Sequence, residues 1–130
     1  MTRLLTIAAV AMTATLAMHG FGGEFKVYRP LLVDAASPEM DLYVSVLWHG
    51  LTAIIALSAV ALIHAAGQTS PSRPMLRLIG AQTTAVGAMF ILFGLIRTHS
   101  LWIGPQWIIL LPLGLLILWT ARPAGTNSAG

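Results

Sequence analysis

The chain has 130 residues, 57% of them hydrophobic and 8% charged, with a mean hydropathy of +0.83. No segment outside the apolar runs is long enough to bury a core of its own, so the composition describes one domain and leaves no room for a soluble one. The pI near 10.2 comes from seven Lys and Arg placed at the ends of apolar runs rather than along a stripe, which excludes a nucleic-acid partner. The absence of cysteine excludes disulfides and thiolate metal sites.

Four uncharged stretches follow one another: 4–23, 42–72, 78–96 and 98–121. Crossing the ~30 Å hydrocarbon core as a helix takes about 20 residues. The sequence therefore predicts an all-α, antiparallel four-helix transmembrane bundle over residues 1–122. Its spans are expected near 4–20, 42–66, 76–97 and 101–121, followed by a disordered tail at 123–130. The first stretch also fits a cleavable leader, with Arg3 ahead of the apolar run and Thr15-Leu16-Ala17 as the cut site. Its apolar run continues through Met18 to Phe21, which favours a retained helix.

Between Phe21 and Asp41, the glycines at 22 and 23 and the prolines at 30 and 38 predict a long loop, semi-apolar through Phe25, Tyr28, Leu31 and Leu32. Such a loop folds back on the bundle or lies in the membrane interface. The second connection, Gly67 to Pro74, is a polar turn. Trp48, Trp102 and Trp107 fall toward one interface and Trp119 toward the other, as an aromatic belt requires.

Lipid tails provide no hydrophobic drive for helix association, so contacts depend on small residues and a few polar bonds. Span three carries Gly80, Gly87 and Gly94 at intervals of seven, close to two helical turns, which predicts a groove along one face. That groove packs another helix of the bundle or forms a seam between copies. Span two carries Ser45, His49, Thr52, Ala56 and Ala59 on one stripe. Pro112 lies mid-span in the fourth helix and removes one backbone donor, predicting a kink.

The candidate chemistry is a set of imidazoles toward one face. His19 closes span one, His49 lies eight residues into span two from Asp41, and His99 sits in the turn after span three. Together with Glu24 they are the candidate metal ligands, since imidazole and carboxylate suit Zn, Cu or Fe, and axial histidine pairs also hold haem. His49 is the deepest, and an ionisable group there is expected to face protein and find a partner. The bland alternative is neutral rings, each bonded to a local carbonyl or hydroxyl. His64, near the other end of span two, reads as interfacial, and Gln82 as a hydrogen bond between helices. No HExxH, nucleophile motif or phosphate loop is present, and no acid lies mid-membrane, which argues against a small proton-coupled exporter.

Ala17-Met18-His19-Gly20, the pair Trp48-His49, Leu76-Arg77-Leu78-Ile79-Gly80 and a proline-bearing fourth span resemble the YgdD-like family of small bacterial inner-membrane proteins with four spans. The resemblance covers most of the chain and implies the four-span fold; it carries no activity and no functional residue.

The function favoured by the sequence is non-enzymatic: an accessory or scaffold protein of the bacterial inner membrane, acting through helix contacts with itself or a larger complex. On this reading there is no cofactor. The alternative is a metal-, haem- or quinone-associated protein using the histidines, and the third is a small channel or transporter. Arg3, Arg73, Arg77 and Arg122 on one side, against Lys26, Arg29 and Arg97 on the other, place both termini in the cytoplasm. A C-terminal reporter pair checks this: the cytoplasm-active reporter should light up, and activity confined to the periplasmic reporter would invert the topology.

Overall fold

In a computed structural model the described residues are 2–122, so the tail expected at 123–130 lies outside them. They form an all-α bundle, with no strand among them. The elements are α1 (Thr2–Ala17), a π-helical segment (Met18–Tyr28), α2 (Arg29–Val33), α3 (Pro38–Ala66), α4 (Arg73–Phe93), a second π segment (Gly94–Thr98) and α5 (Trp107–Thr120). The first three run on as one helix, Arg3–Val33. Short turns at 34–37 and 67–72 and a longer one at 99–106 reverse the chain between helices.

Three helices are long and apolar enough to cross a membrane: Arg3–Val33, Pro38–Ala66 and Arg73–Thr98. The fourth differs from the expected span at 101–121. Its helix starts only at Trp107 and has 14 residues, about 21 Å at 1.5 Å per residue and short of the hydrocarbon thickness. Residues Ser100–Gln106 turn irregularly instead, tied by the Trp107 indole N–H, which donates to the Leu101 carbonyl at 3.1 Å.

The loop expected from Phe21 to Asp41 is mostly helix. Gly22 and Gly23 do not break the chain because the backbone widens into the π register there instead of turning. That register closes at Arg29, whose N–H donates five residues back to the Glu24 carbonyl. Pro30, with no N–H to donate, follows immediately. The actual reversal is four residues long, and Ser37 restarts the chain by accepting the Met40 N–H at its hydroxyl, with Pro38 at the first helical position and Glu39 and Asp41 in the first turn.

Two helix pairs make up the bundle. α1 packs on α3, α4 packs on α5, and α1 touches α5 across the middle. The pairs join at one end, where Leu5, Ala8 and Met12 of α1 meet Ala59, Leu62 and Ala65 of α3, Leu76 and Ile79 of α4, and Leu113 and Ile117 of α5. Outward faces carry exposed Ile7, Val10, Leu57, Val60, Leu78, Leu92 and Leu115, the surface a lipid environment accepts. Hydroxyls are turned back on their own helices: Thr13, Thr52, Ser58, Thr83 and Thr84 each donate to the carbonyl four residues earlier, at 2.7–2.9 Å. This keeps them satisfied without water.

The glycine groove of α4 closes on α5. A Cβ added at Gly80 would lie 2.9 Å from the Leu118 backbone nitrogen, and one at Gly87 2.8 Å from that of Leu111. From the other side, a Cβ at Gly114 would strike Thr84. At the third member, Gly94, an added Cβ would lie 2.9 Å from the Ser100 carbonyl oxygen, so this glycine serves the turn rather than the helix pair.

Backbone, not a flexible side chain, therefore limits these positions. Gly87→Leu should destabilise the protein in detergent by about 1–3 kcal/mol, the usual range for overpacking. Leu92→Ala, at a position 53% exposed, should matter little. Gly50→Ala, with open space around the new carbon, should be neutral or gain up to about 1 kcal/mol of helix propensity. Thermal melts followed by circular dichroism decide it: equal midpoints for all three variants would refute the close-approach account.

Candidate functional site: an aromatic latch beside an interhelical cavity

The π segment sets the geometry of the candidate site. A π-helix takes about 4.4 residues per turn, against 3.6 for an α-helix. Residues nine apart, roughly opposite on an α-helix, come back to within about 20° of each other on a π-helix. His19 and Tyr28 are such a pair, and both present their rings to Trp48 of α3. The His19 ring stacks on the indole at 4.1 Å and 19°, and the Tyr28 ring at 5.6 Å and 18°. Between them in sequence lies Gly23, where an added Cβ would be 2.7 Å from the tip of the indole. The indole slots in where the glycine leaves room. Tyr28 is anchored further, its hydroxyl 2.9 Å from that of Ser45, which donates in turn to Asp41 at 3.4 Å. Each aromatic pair of this kind contributes about 0.5–1.5 kcal/mol beyond its buried area.

Beside this latch a partly open cavity of about 750 Å³ lies between the first helix, α3, α4 and α5. Met12, Ile55 and Val86 wall its deep part, His19 and Trp48 its flank, and Lys26 and Gln106 its outer part. The cavity has a steric origin. The glycines hold α5 hard against α4, the latch holds the first helix against α3, and α5 begins late, so the outer corner between the pairs is left unfilled. Its polar groups are few. Ser58 and Thr83 have their hydroxyls bonded within their own helices. The Nε2 atom of His19 is buried with no hydrogen-bond partner. Such an atom is costly to leave unpaired. No Asp or Glu lines the space.

The candidate ligands from the sequence are dispersed. His19 belongs to the latch and the cavity wall. His49 is exposed and is not the deep inward ligand expected; its ring lies edge-on to Tyr28 at 5.2 Å. The inward position at that level goes to its neighbour Trp48, because Gly23 admits the indole. Glu24 pairs with Arg29 at 3.3 Å instead of turning inward. His99 ends the second π segment: its φ of 50° is left-handed, and its N–H donates to the Gly94 carbonyl. Histidine tolerates that conformation better than most residues, so backbone geometry accounts for it. Among the described residues, no three of His, Asp and Glu gather into a group able to hold a metal.

His64 is partnered within its own helix end, 2.7 Å from the Gln68 amide. Gln82 does not bridge helices but lines the cavity. Sequence reasoning missed Trp48, Gly23 and Tyr28 as a unit. The one available signal was the glycine cluster at 20, 22 and 23, read there as a turn.

No family model matches the chain, and neither a curated protein nor a solved structure does so. The site therefore stands on its own geometry.

Gly23→Ala should lower the melting midpoint by an amount worth about 1–3 kcal/mol, because the new methyl collides with the indole. In a background retaining Trp48 as the sole tryptophan, it should also shift the fluorescence emission. Gly20→Ala, with nothing within 4 Å of the added carbon, is the matched control. Identical spectra and midpoints for the two variants would remove the latch.

Proposed function

We propose that this chain is a non-enzymatic integral membrane protein that holds a lipophilic small molecule between its two helix pairs. The observation carrying this reading is the 750 Å³ cavity with largely apolar walls and, on its flank, an imidazole whose buried nitrogen lacks a partner. Binding sites for small organic molecules have this character: about 300–1,000 Å³, mostly apolar, with a few convergent polar groups. Of the cofactor classes considered, an organic lipophile such as a quinone suits the site better than a metal or haem, because the histidines do not converge. We place the protein in the bacterial inner membrane with both termini cytoplasmic, following the charge bias and the resemblance to the YgdD-like family. The fourth crossing would be completed by the irregular segment ahead of α5. Irregular backbone is tolerated at membrane depth where it is packed in protein or lines a cavity.

A second reading, the accessory or scaffold role, is favoured by a different surface. Thr6, Ala9, Val10, Thr13, Ala14 and Ala17 of α1, with Ile63 and Ala66 of α3, form an open groove of about 500 Å³. Small residues of this kind let another helix approach closely, from a second copy or a larger membrane complex.

The test is extraction into a polymer that retains native lipid, followed by organic extraction and mass spectrometry. Wild-type protein should carry a lipophile at near-equimolar amount, and Val86→Trp, which fills the cavity, should lower that occupancy at least tenfold while keeping its helix content. The same lipid complement on both proteins would overturn the proposal.

A further inference from the structure

We infer that the molecule held in this cavity is an amphiphile with a single long hydrocarbon chain and an anionic head, and that Lys26 binds the head. This inference rests on the cavity reading above and adds the chemical class of the ligand.

The polarity of the lining changes along its length. From Met12 to Lys26 the cavity follows fifteen residues of the first helix, roughly 20 Å. In its deep part the hydroxyls of Ser58 and Thr83 are donated to the Ile54 and Ile79 carbonyls, leaving the Gln82 amide as the free polar group there. A ligand meets mostly hydrocarbon there, with one amide beside it. Midway stands His19. The outer part carries Lys26 and Gln106. A lining that runs over that length from mostly apolar to cationic fits one extended chain with its head outward better than it fits a compact polar molecule.

The sign of the head follows from how the nearby charges are spent. Glu24, the acid closest in sequence, is paired with Arg29, and that guanidinium also lies over the Phe25 ring at 4.4 Å. Lys26 has no ion-pair partner among the described residues, and no carboxylate lines the cavity to neutralise it. Lys26 is exposed at that end, and a lysine stem can lie along apolar surface with its ammonium toward the polar side. Glu24, Lys26 and Arg29 mark the level at which the helix leaves the hydrocarbon, so the ammonium sits where an anionic head would lie.

Three ligands of one chain length separate the possibilities: hexadecanoate, hexadecyl phosphate and hexadecanol, titrated against delipidated full-length protein in neutral detergent and read by native mass spectrometry. The two anions should bind at least tenfold more tightly than the alcohol. Lys26→Gln should abolish that difference and leave hexadecanol binding unchanged. Arg29→Gln, at the same level but off the cavity wall, should preserve the difference and so control for surface charge. Whichever anion binds more tightly identifies the head as carboxylate or phosphate. Equal binding of all three ligands, or anion preference surviving Lys26→Gln, overturns the inference while the cavity reading stands. Failure of all three to bind, or binding unaffected by Val86→Trp, overturns the cavity reading as well.

Discussion

Helices surrounded by lipid gain nothing from burying apolar side chains against each other, so how closely two backbones can approach decides the arrangement of this bundle. At Gly80, Gly87 and Gly114 the α4 and α5 backbones leave no space for even one added carbon. That contact fixes α5 to α4 along most of its length. α1 and α3 form their own pair through alanines at 8, 9, 59 and 65, buried where the pairs meet. Two tight pairs joined at one end cannot also be tight at the other unless side chains fill the gap. The gap at the outer end is the cavity.

The π segment works on the same problem from the opposite side. An α-helix continuing past Ala17 would send His19 and Tyr28 to opposite faces. Widening the turn brings both to α3 and opens a slot at Gly23 for the Trp48 indole. π-helical turns are uncommon and concentrate at functional sites. Here the register both anchors the first helix and places an imidazole on the cavity wall.

Polar groups in the bundle are spent locally wherever possible. Thr and Ser hydroxyls return to their own carbonyls, Glu24 pairs with Arg29, and His64 meets Gln68. Against that background the cavity wall carries groups left over: among the described residues His19 Nε2 and the Gln82 amide have no hydrogen-bond partner and Lys26 no ion-pair partner.

The sequence by itself determined the solvent, the class of fold and the position of most helices, because hydropathy reports which segments prefer hydrocarbon regardless of how they pack. It also showed the glycine groove of α4, since a seven-residue interval keeps one face on any helix. Only the tertiary structure decided what the groove meets, how far the first helix extends and where α5 begins. Those outcomes depend on two segments at once: Gly23 gains its role from Trp48, and Gly87 gains its role from Leu111. The histidines illustrate the limit most plainly. Their spacing suggested convergence, yet His49 was turned outward by its neighbour's fit, Glu24 was claimed by Arg29, and His99 was taken by the backbone of a helix end. Shared depth in a membrane brings residues to one level; rotation about each helix axis, fixed by packing alone, decides whether they meet.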